Sequence, residues 1–243
     1  MIKLFRNIRK SFLRKNQLGQ YFKYAIGEIF LVVIGILIAL QINNWNENNK
    51  KERLKTVYVS SLVSDLSLDT LLLGKLIAEN TEILNKLILQ QKRFLGPNTP
   101  IDTLVKIARD EFNPELNLRF KYNRNTINTL ISSGNIDLFS QDFNKIIMEL
   151  ISTQDIEREN SKFYAEVYTD KISRFSDDFP VSGRQNSKIF NSVWDNVDEN
   201  EIASRFISLT DIKGFSHYTF IENIIKVKEQ TSAVIQYIKS SNK

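Results

Sequence analysis

Residues 24–47 read YAIGEIFLVVIGILIALQINNWNE, and this stretch decides the class of fold. Its apolar part, residues 25–42, spans about 27 Å as an α-helix, which is close to the ~30 Å thickness of bilayer hydrocarbon. Tyr21, Tyr24 and Trp45 flank this part, and we interpret them as interfacial anchors because amphipathic rings favour the headgroup layer. The stretch therefore predicts one transmembrane helix with interfacial flanks.

A cleaved signal peptide is the alternative interpretation of a basic start followed by an apolar run. The apolar run here is longer than the hydrophobic region of a signal peptide, and no small-x-small cleavage motif follows it. We therefore expect a retained membrane anchor that crosses the bilayer once.

Basic residues are concentrated on the N-terminal side of this helix. Residues 1–23 hold seven of the 33 Lys and Arg residues and no Asp or Glu, so 26 basic and 28 acidic residues remain for the rest of the chain. This distribution argues against nucleic-acid binding, which needs its positive charge on the folded surface that meets phosphate. The positive-inside rule predicts a cytoplasmic N-terminus, with the C-terminal domain on the far side of the membrane.

Residues 1–23 also have the pattern of a basic amphipathic tail, with Phe5, Ile8 and Phe12 on one side of a helix and basic residues on another. On anionic membrane lipids, each basic side chain would contribute roughly 1 kcal/mol of attraction. An unstructured charged tail is the alternative. The predicted lipid headgroup contacts are Arg6, Arg9, Lys10, Arg14 and Lys15.

One face of the predicted span carries features typical of a helix–helix contact. Gly35 and Ala39 form a small-xxx-small pair, which allows a second helix to approach closely. Glu28 lies on the same face, and an ionisable residue inside a span usually has a functional reason. Snorkelling of Glu28 to the nearby headgroups is the alternative. We predict that these three residues form the membrane partner face.

A long stalk helix is predicted at residues 48–95, because no Gly or Pro interrupts the chain between Ile36 and Leu73. A heptad pattern predicts that the stalk packs either on its own chain or on another copy, which makes a protein partner or a homo-oligomer through span and stalk the expected assembly. The heptad positions are Leu62, Leu66, Asp69, Leu73, Leu76, Asn80, Ile83, Leu87, Gln90 and Phe94.

The remaining residues, 96–243, predict a mainly α domain that packs on the stalk as an antiparallel helical bundle. The pattern favours helices at 101–112, 125–133, 140–178 and 211–239, with Ile221, Ile224, Ile225, Val234, Ile235 and Ile238 on the core side of the last. Residues 116–122 alternate like a strand without a partner and are expected to form an extended connector. A polar loop is expected at 181–197, with Phe190 and Trp194 packed onto the bundle.

Residues with catalytic or ligand-binding chemistry are sparse. The chain has no Cys, and its single histidine, His217, is expected to be structural. Asp65 and Asp69 are interpreted as a solvated stripe, with a cation site as the alternative. We predict no catalytic, cofactor or metal site and therefore no enzyme, although carboxylates scattered in sequence could still assemble an active site. The acidic stretch Asp195, Asp198, Glu199 and Glu201 resembles a set of calcium ligands but lacks the central Gly of a calcium loop, so a calcium site there is only a minor alternative.

Two sequence blocks carry a resemblance to a known family. KYAIGEIFLVVIGILIALQINNWNE (23–47), preceded by FRNIRKSFLRKN (5–16), and NTINTLISSGNIDL (125–138) resemble the DUF6090 family, a group of Bacteroidota membrane proteins built on a domain of unknown function. The resemblance implies a bacterial inner-membrane location with the domain in the periplasm. It implies no catalytic residues.

The features together favour a non-enzymatic, membrane-anchored interaction or scaffold subunit of the bacterial envelope. A second hypothesis is a small subunit of a proton-driven envelope complex, in which Glu28 carries a proton because desolvation raises the pKa of a carboxyl group in a bilayer.

Overall fold

A computed structural model describes residues 18–181 and 187–241. Within these residues the chain is almost entirely helical and forms no strand, which confirms the mainly α prediction. The α-helices of this part are α1 (Leu18–Phe94), α2 (Ile101–Lys106), α3 (Asn125–Ser132), α4 (Gln141–Asp178), α5 (Lys188–Trp194) and α6 (Glu199–Ser241). A π-helical turn, Ile107–Glu111, extends α2, and a 3₁₀ turn, Asn135–Leu138, follows α3.

The chain divides into two compact units, residues 1–57 and 58–243. In the first unit, the described residues form the beginning of α1. Their large apolar side chains are exposed. By length and composition, one helix in the described part of the chain is apolar enough to cross a membrane, and it lies near the N-terminus.

The second unit is built on three long helical segments: α1 from Tyr58 onward, α4 and α6. The rings of Phe175 in α4 and Phe206 in α6 lie 5.8 Å apart, and those of Tyr164 and Phe215 lie 5.4 Å apart, so these two helices are antiparallel. Helix α6 is antiparallel to α1 as well, since His217 contacts Asn80 and Gly214 lies beside Leu87. Helices α1 and α4 therefore point the same way, and the chain between them must run back along the bundle.

The heptad of α1 packs on its own chain. Leu62, Leu66, Leu73, Leu87 and Phe94 are buried. Two of the three polar heptad residues, Asp69 and Asn80, are buried as well, whereas Ile83 is 41% exposed and departs from the pattern. A seam of this kind stabilises the domain chiefly by removing apolar side chains from water, at ~1.5–3 kcal/mol for each fully buried leucine.

Two apolar cores lie at opposite ends of the second unit, and a buried polar layer lies between them. In the first core, Leu62, Leu66 and Leu73 of α1 pack with the first turns of α4 and the C-terminal half of α6. The second joins Leu87–Phe94 with the rings around Phe206, whose centroid lies 5.1 Å from that of Phe112. The polar layer contains Asn80, Gln154, Glu157, Ser161, Lys213, Ser216 and His217.

Two boundaries of the predicted bundle are wrong. Residues 188–194 form α5 inside the predicted polar loop, although Phe190 and Trp194 are buried as expected. Helix α6 starts at Glu199 rather than near residue 211, because Asp198 Oδ1 accepts the N–H groups of Asn200 and Glu201 at its first turn.

The acidic stretch after Trp194 therefore has a structural role at the start of α6. Glu199 and Glu201 lie in its first turn, where negative charge complements the helix dipole.

Ile225 of the same helix is 36% exposed and does not join the predicted core side, whereas Ile224, Val234 and Ile238 are buried.

The predicted helix ends around the middle of the chain are confirmed. Gly134 follows α3 with φ of 70°, a left-handed conformation that L side chains adopt at a cost. Ser140 caps α4, since its hydroxyl accepts the N–H of Phe143 at 3.2 Å. Helix α4 then runs to Asp178 without interruption.

Candidate functional site

The segment that returns from α2 to α3, residues 112–124, is extended and is called the connector below. Pro114 disfavours helix at its start, and Asn113 Oδ1 accepts the N–H of Glu115 at 2.9 Å in a local turn. Even-numbered residues from Phe112 to Tyr122 are buried or half-buried, whereas the odd-numbered residues 113–121 are exposed. This period of two is that of a strand, and no strand pairs with the connector among the described residues.

Two tyrosine hydroxyls fasten the connector to α4. Tyr168 Oη donates to the carbonyl oxygen of Pro114 at 2.6 Å, and Tyr122 Oη donates to Glu157 Oε2 at 2.7 Å. The connector covers about 26 Å between these points if fully extended, whereas the facing part of α4 covers about 17 Å. The excess length lets the connector run obliquely or bow away from α4, and an open groove lies between the two.

Two aspartates of α1 hold the C-terminal end of the connector. Both oxygens of Asp69 lie within hydrogen-bond distance of the Asn123 N–H, at 3.1 and 3.0 Å. Asp65 accepts the Asn123 side-chain amide at 2.9 Å and the Thr126 hydroxyl at 2.6 Å. Asp65 also accepts the Thr126 N–H and so caps α3 from another helix.

These contacts correct the prediction of a solvated Asp stripe. Asp69 is 1% exposed, and burial raises its pKa from 3.8 to about 6, opposed by the main-chain donor of Asn123 and reinforced by the charge of Asp65. From the sequence alone, the only visible relationship of Asp69 is its helical spacing from Asp65. The main-chain N–H that donates to it belongs to Asn123, 54 positions away in the sequence.

Arg124, the last residue of the connector, joins it to α4. Its guanidinium donates to Gln154 Oε1 at 2.7 Å, to Asp155 Oδ1 at 2.8 Å and to the Ile151 carbonyl at 3.1 Å. A planar fork that is held by three acceptors orients the segment more firmly than a lysine would. The connector is therefore rigidly attached at Arg124.

Between its attachments, the connector leaves its main chain unpaired. No backbone N–H or C=O of residues 116–121 has a hydrogen-bond partner within the ranges 18–181 and 187–241. The segment therefore combines the conformation of a β-strand with the free donors and acceptors of a sheet edge. Residues 116–121 are called the open strand below.

A groove of about 1010 Å³ lies between the open strand and α4. Small side chains one turn apart on α4, at Ser161, Ala165, Thr169 and Ser173, leave this space. Leu118 and Phe120 of the open strand supply apolar surface on the other side. The groove is long and open to solvent, unlike an enclosed cavity for a small molecule.

The acidic side chains along the groove are already engaged. Glu157 is 2% exposed, and its two oxygens accept the hydroxyls of Tyr122 and Ser161, the latter at 2.6 Å. Glu166 lies 3.8 Å from Lys162, and Asp170 lies 3.0 Å from Arg174 in ion pairs on the surface of α4. Burial and the neighbouring Glu157 raise the pKa of Tyr122, so its hydroxyl stays protonated and donates.

Two basic side chains of the open strand have no such partner. Arg119 and Lys121 are exposed, and neither forms an ion pair with a described residue. Positions 119 and 121 lie on the same face of an extended segment, about 7 Å apart. The groove therefore presents two adjacent positive charges beside an unpaired main chain.

The polar layer contains a second group of residues with perturbed titration. Lys213 Nζ donates to the Asn113 carbonyl and lies 5.0 Å from the ring centroid of Phe112, and burial lowers its pKa to about 8. His217 Nδ1 lies 2.8 Å from Asn80 Oδ1. Asn80 Nδ2 donates to the Leu76 carbonyl, so its oxygen faces the imidazole, which must donate from Nδ1.

His217 is 1% exposed, and its hydrogen bond is to Asn80 within the bundle. Burial, followed by the charge of Lys213, lowers its pKa to about 4, so the imidazole is neutral at physiological pH. Neither His217 nor Lys213 lines the groove. Groups of three or more His, Cys, Asp or Glu side chains that could hold a metal ion are not found in the described part of the chain.

The predicted membrane partner face lies within the first unit. Glu28, Gly35 and Ala39 fall within about 40° of one another around α1. A side chain at Gly35 would meet no atom within 4 Å. Tyr24 and Trp45, two of the predicted interfacial anchors, are 57% and 67% exposed. Their proposed contacts with lipid and with a partner helix stay predictions.

The other predicted membrane contacts lie outside the part that the structure describes in side-chain detail. The headgroup contacts Arg6, Arg9, Lys10, Arg14 and Lys15 are not among the described residues, and the side chain of Tyr21 is not described.

Comparison with known proteins gives the family. A model described as family of unknown function (DUF6090) matches residues 28–223. The chain belongs to DUF6090. The match includes the connector and the whole of α4, so the groove lies inside the DUF6090 region. No curated protein and no solved structure matches the chain.

The groove of this DUF6090 chain was not predicted from the sequence, although one of its walls was. The alternation of residues 116–122 and the absence of a partner strand indicated an extended connector, and the structure confirms it. Its position against α4 depends on Tyr122 and Tyr168, which no local pattern links to Glu157 or Pro114.

Proposed function

We propose that this chain is a non-enzymatic, membrane-anchored interaction module of the bacterial envelope. In this proposal residues 1–23 lie in the cytoplasm, residues 24–47 cross the inner membrane, and the helical domain lies in the periplasm. The apolar helix and the excess of Lys and Arg in residues 1–23 support the location and the orientation. The observation that carries the function is the groove beside the open strand.

The chemistry of the groove supports binding rather than catalysis. The carboxylates that line it are engaged by hydroxyl groups or ion pairs, as Glu157, Glu166 and Asp170 show. Asp69, Lys213 and His217, whose pKa values are strongly shifted, do not line the groove, and each has a hydrogen-bond partner within the domain. A catalytic site would instead direct such groups toward the space that a substrate occupies.

Site-specific photocrosslinking in growing cells tests this function. A photoreactive phenylalanine analogue is placed in the full chain at Lys162 or Thr169, which line the groove, or at Lys226, which is exposed on α6 outside it. We expect a protein adduct of the same size at the two groove positions and none at the control position. Adducts of equal yield at all three positions, or none at any, contradict a partner in the groove.

The proposed orientation has its own test, because the chain has no Cys. Single cysteines replace Ser11 in the tail or Lys145 at an exposed site on α4, and a membrane-impermeant maleimide is added after the outer membrane is permeabilised. Labelling at residue 145 and protection at residue 11 are expected. The reverse pattern contradicts a cytoplasmic N-terminus.

A second candidate function concerns the span. Glu28, Gly35 and Ala39 share one face of α1, and among the described residues no atom lies within 4 Å of where a side chain at Gly35 would begin. In a proton-driven complex, a partner helix on this face would let Glu28 gain and lose a proton. Glu28→Gln and Glu28→Asp test this role in any assay in which deletion has a phenotype. Wild-type behaviour of Glu28→Gln at normal abundance would exclude it.

A further inference from the structure

We propose that the groove binds an acidic, extended segment of a partner protein, which adds to the open strand as a second β-strand. This inference rests on the proposed function and specifies the chemistry of its partner. It follows from the conformation of residues 116–121, the space beside them and the charges they carry.

The unpaired main chain is the first reason. Six consecutive residues present strand-like N–H and C=O groups that have no hydrogen-bond partner among the described residues. A strand that is added along one edge forms hydrogen bonds with the main chain of every second residue. About three of the six residues would therefore pair with a ligand strand on that edge. Strand addition to an exposed edge is an established mode of peptide recognition, in which the main chain provides affinity.

The dimensions of the groove are the second reason. Six extended residues need about 20 Å of length, and an added strand lies about 4.8 Å from its neighbour. The connector is attached to α4 at Pro114 and Tyr122, on either side of the open strand, so the space is bounded at both ends. Because Ala165 and Ser161 project little from α4, a volume of about 1010 Å³ remains between helix and strand.

The charge of the open strand is the third reason, and it selects the ligand. Arg119 and Lys121 are exposed on one face, and no described residue pairs with either. A strand alongside places its own alternate residues opposite these two positions, where opposite charges are favourable and like charges are not. Acidic residues at alternate positions of the ligand therefore complement the open strand.

Peptide binding to the full-length chain in mild detergent tests the inference. The probe is a fluorescent six-residue peptide of alternating Glu and Val, measured by anisotropy against the corresponding Lys and Val peptide. We expect the acidic peptide to bind and the basic peptide to bind at least about tenfold more weakly. Binding of the acidic peptide should weaken between about 50 and 300 mM NaCl, since the charges are exposed and are screened by salt.

Charge reversal provides the matched pair of variants. In Arg119→Glu/Lys121→Glu we expect the preference to reverse, so that the basic peptide binds more tightly. The control, Lys145→Glu/Lys226→Glu, changes the net charge by the same amount at two exposed residues outside the groove. It should retain the preference for the acidic peptide. An equal loss in both variants would mean that only the overall charge matters, and would overturn the inference.

Main-chain pairing has two separate readouts. A Glu and Val peptide with N-methyl groups on alternate residues keeps its charge and loses its donors, and it should bind at least tenfold more weakly when the methylated edge faces the open strand. Two peptides, methylated in the two alternate registers, cover both edges. In hydrogen exchange, amides of residues 116–121 should become protected when the unmethylated acidic peptide is bound.

The outcomes separate this inference from the proposed function. Equal binding of both methylated peptides, or no protection of residues 116–121, overturns strand addition. Failure of the acidic peptide to bind overturns the inference as a whole. If photocrosslinks still form at Lys162 and Thr169 in that case, the groove is a protein interface of a different chemistry. If crosslinks are absent as well, the proposed function is wrong.

Discussion

Tyr122 Oη lies 2.7 Å from Glu157 Oε2, and Ser161 donates to the other oxygen of the same carboxylate at 2.6 Å. This contact joins an extended segment to the middle of α4, at the edge of the groove. A carboxylate that is 2% exposed needs such donors, because desolvating a charged acceptor without partners is costly. The connector is therefore placed by a buried polar contact in addition to the packing of Leu116 and Leu118 in the core.

Removing the Tyr122 hydroxyl should destabilise the domain. In Tyr122→Phe the buried Glu157 keeps only Ser161 as a hydroxyl donor, so we expect the free energy of unfolding to fall by about 1–3 kcal/mol. Tyr168→Phe, the matched control, removes a donor to a neutral main-chain carbonyl and should cost about 0.5–1.5 kcal/mol. Urea unfolding of the full chain, followed by circular dichroism, measures both. A larger loss in Tyr168→Phe would contradict this ranking.

Two buried groups should give opposing pH dependences. The pKa of Asp69 rises from 3.8 to about 6, so the folded chain binds more protons between these values, and its contribution to unfolding free energy falls as pH rises. The pKa of His217 falls from 6.5 to about 4, so the folded chain binds fewer protons there, and its contribution rises with pH. Each effect is at most about 3 kcal/mol, and they largely offset each other between pH 4 and 6.

Single variants should reveal each effect. Relative to wild type, Asp69→Asn should gain unfolding free energy as pH rises from about 4 to 6, whereas His217→Gln should lose it over the same range. The measurement is the unfolding free energy of wild type and both variants at pH 4, 5 and 6. Differences from wild type that do not change with pH would contradict the assigned protonation of these groups.

Lys213 should make the domain more stable in mildly alkaline solution. Burial lowers its pKa from 10.5 to about 8, so between these values the unfolded chain binds more protons and unfolding free energy rises with pH, by at most about 3 kcal/mol. Lys213→Met should remove this rise while it keeps the packing against Phe112. Unfolding measured at pH 7.5, 9 and 10 tests the expectation. A rise of the same size in the variant would assign it to another group.

Two glycines should respond to alanine in opposite directions. Gly134 has φ of 70°, so Gly134→Ala should cost about 1 kcal/mol or more. Gly214 lies inside α6, and a methyl group there would meet Leu87 at an ordinary contact distance of 3.5 Å. Gly214→Ala should therefore raise the free energy of unfolding by about 0.5–1 kcal/mol through helix propensity. Melting temperatures of the two variants should shift in opposite directions.

The elements of this fold whose signals are local were predictable. The apolar run, the heptad of α1, the cap at Ser140 and the glycine after α3 all depend on residues within a few turns of one another. The start of α6 was missed because an acidic stretch suggests a loop, whereas Asp198 uses its carboxylate to cap the helix. Helix α5 is short and has one apolar turn, which is too little periodicity to distinguish it from a loop.

The sequence by itself determined the apolar N-terminal helix, the other long helices and the extended connector, because periodicity, caps and breakers act through neighbouring residues. Only the tertiary structure decided which polar residues are buried and which groups they bind. Asp69 accepts the N–H of Asn123, and His217 is paired with Asn80, which lies 137 positions away in the sequence. The groove likewise exists because Tyr122 and Tyr168 attach the connector to α4 at two points. Contacts of this kind depend on which helix faces pack against each other. Local sequence patterns do not show which faces these are, because the contacting residues are far apart in the chain.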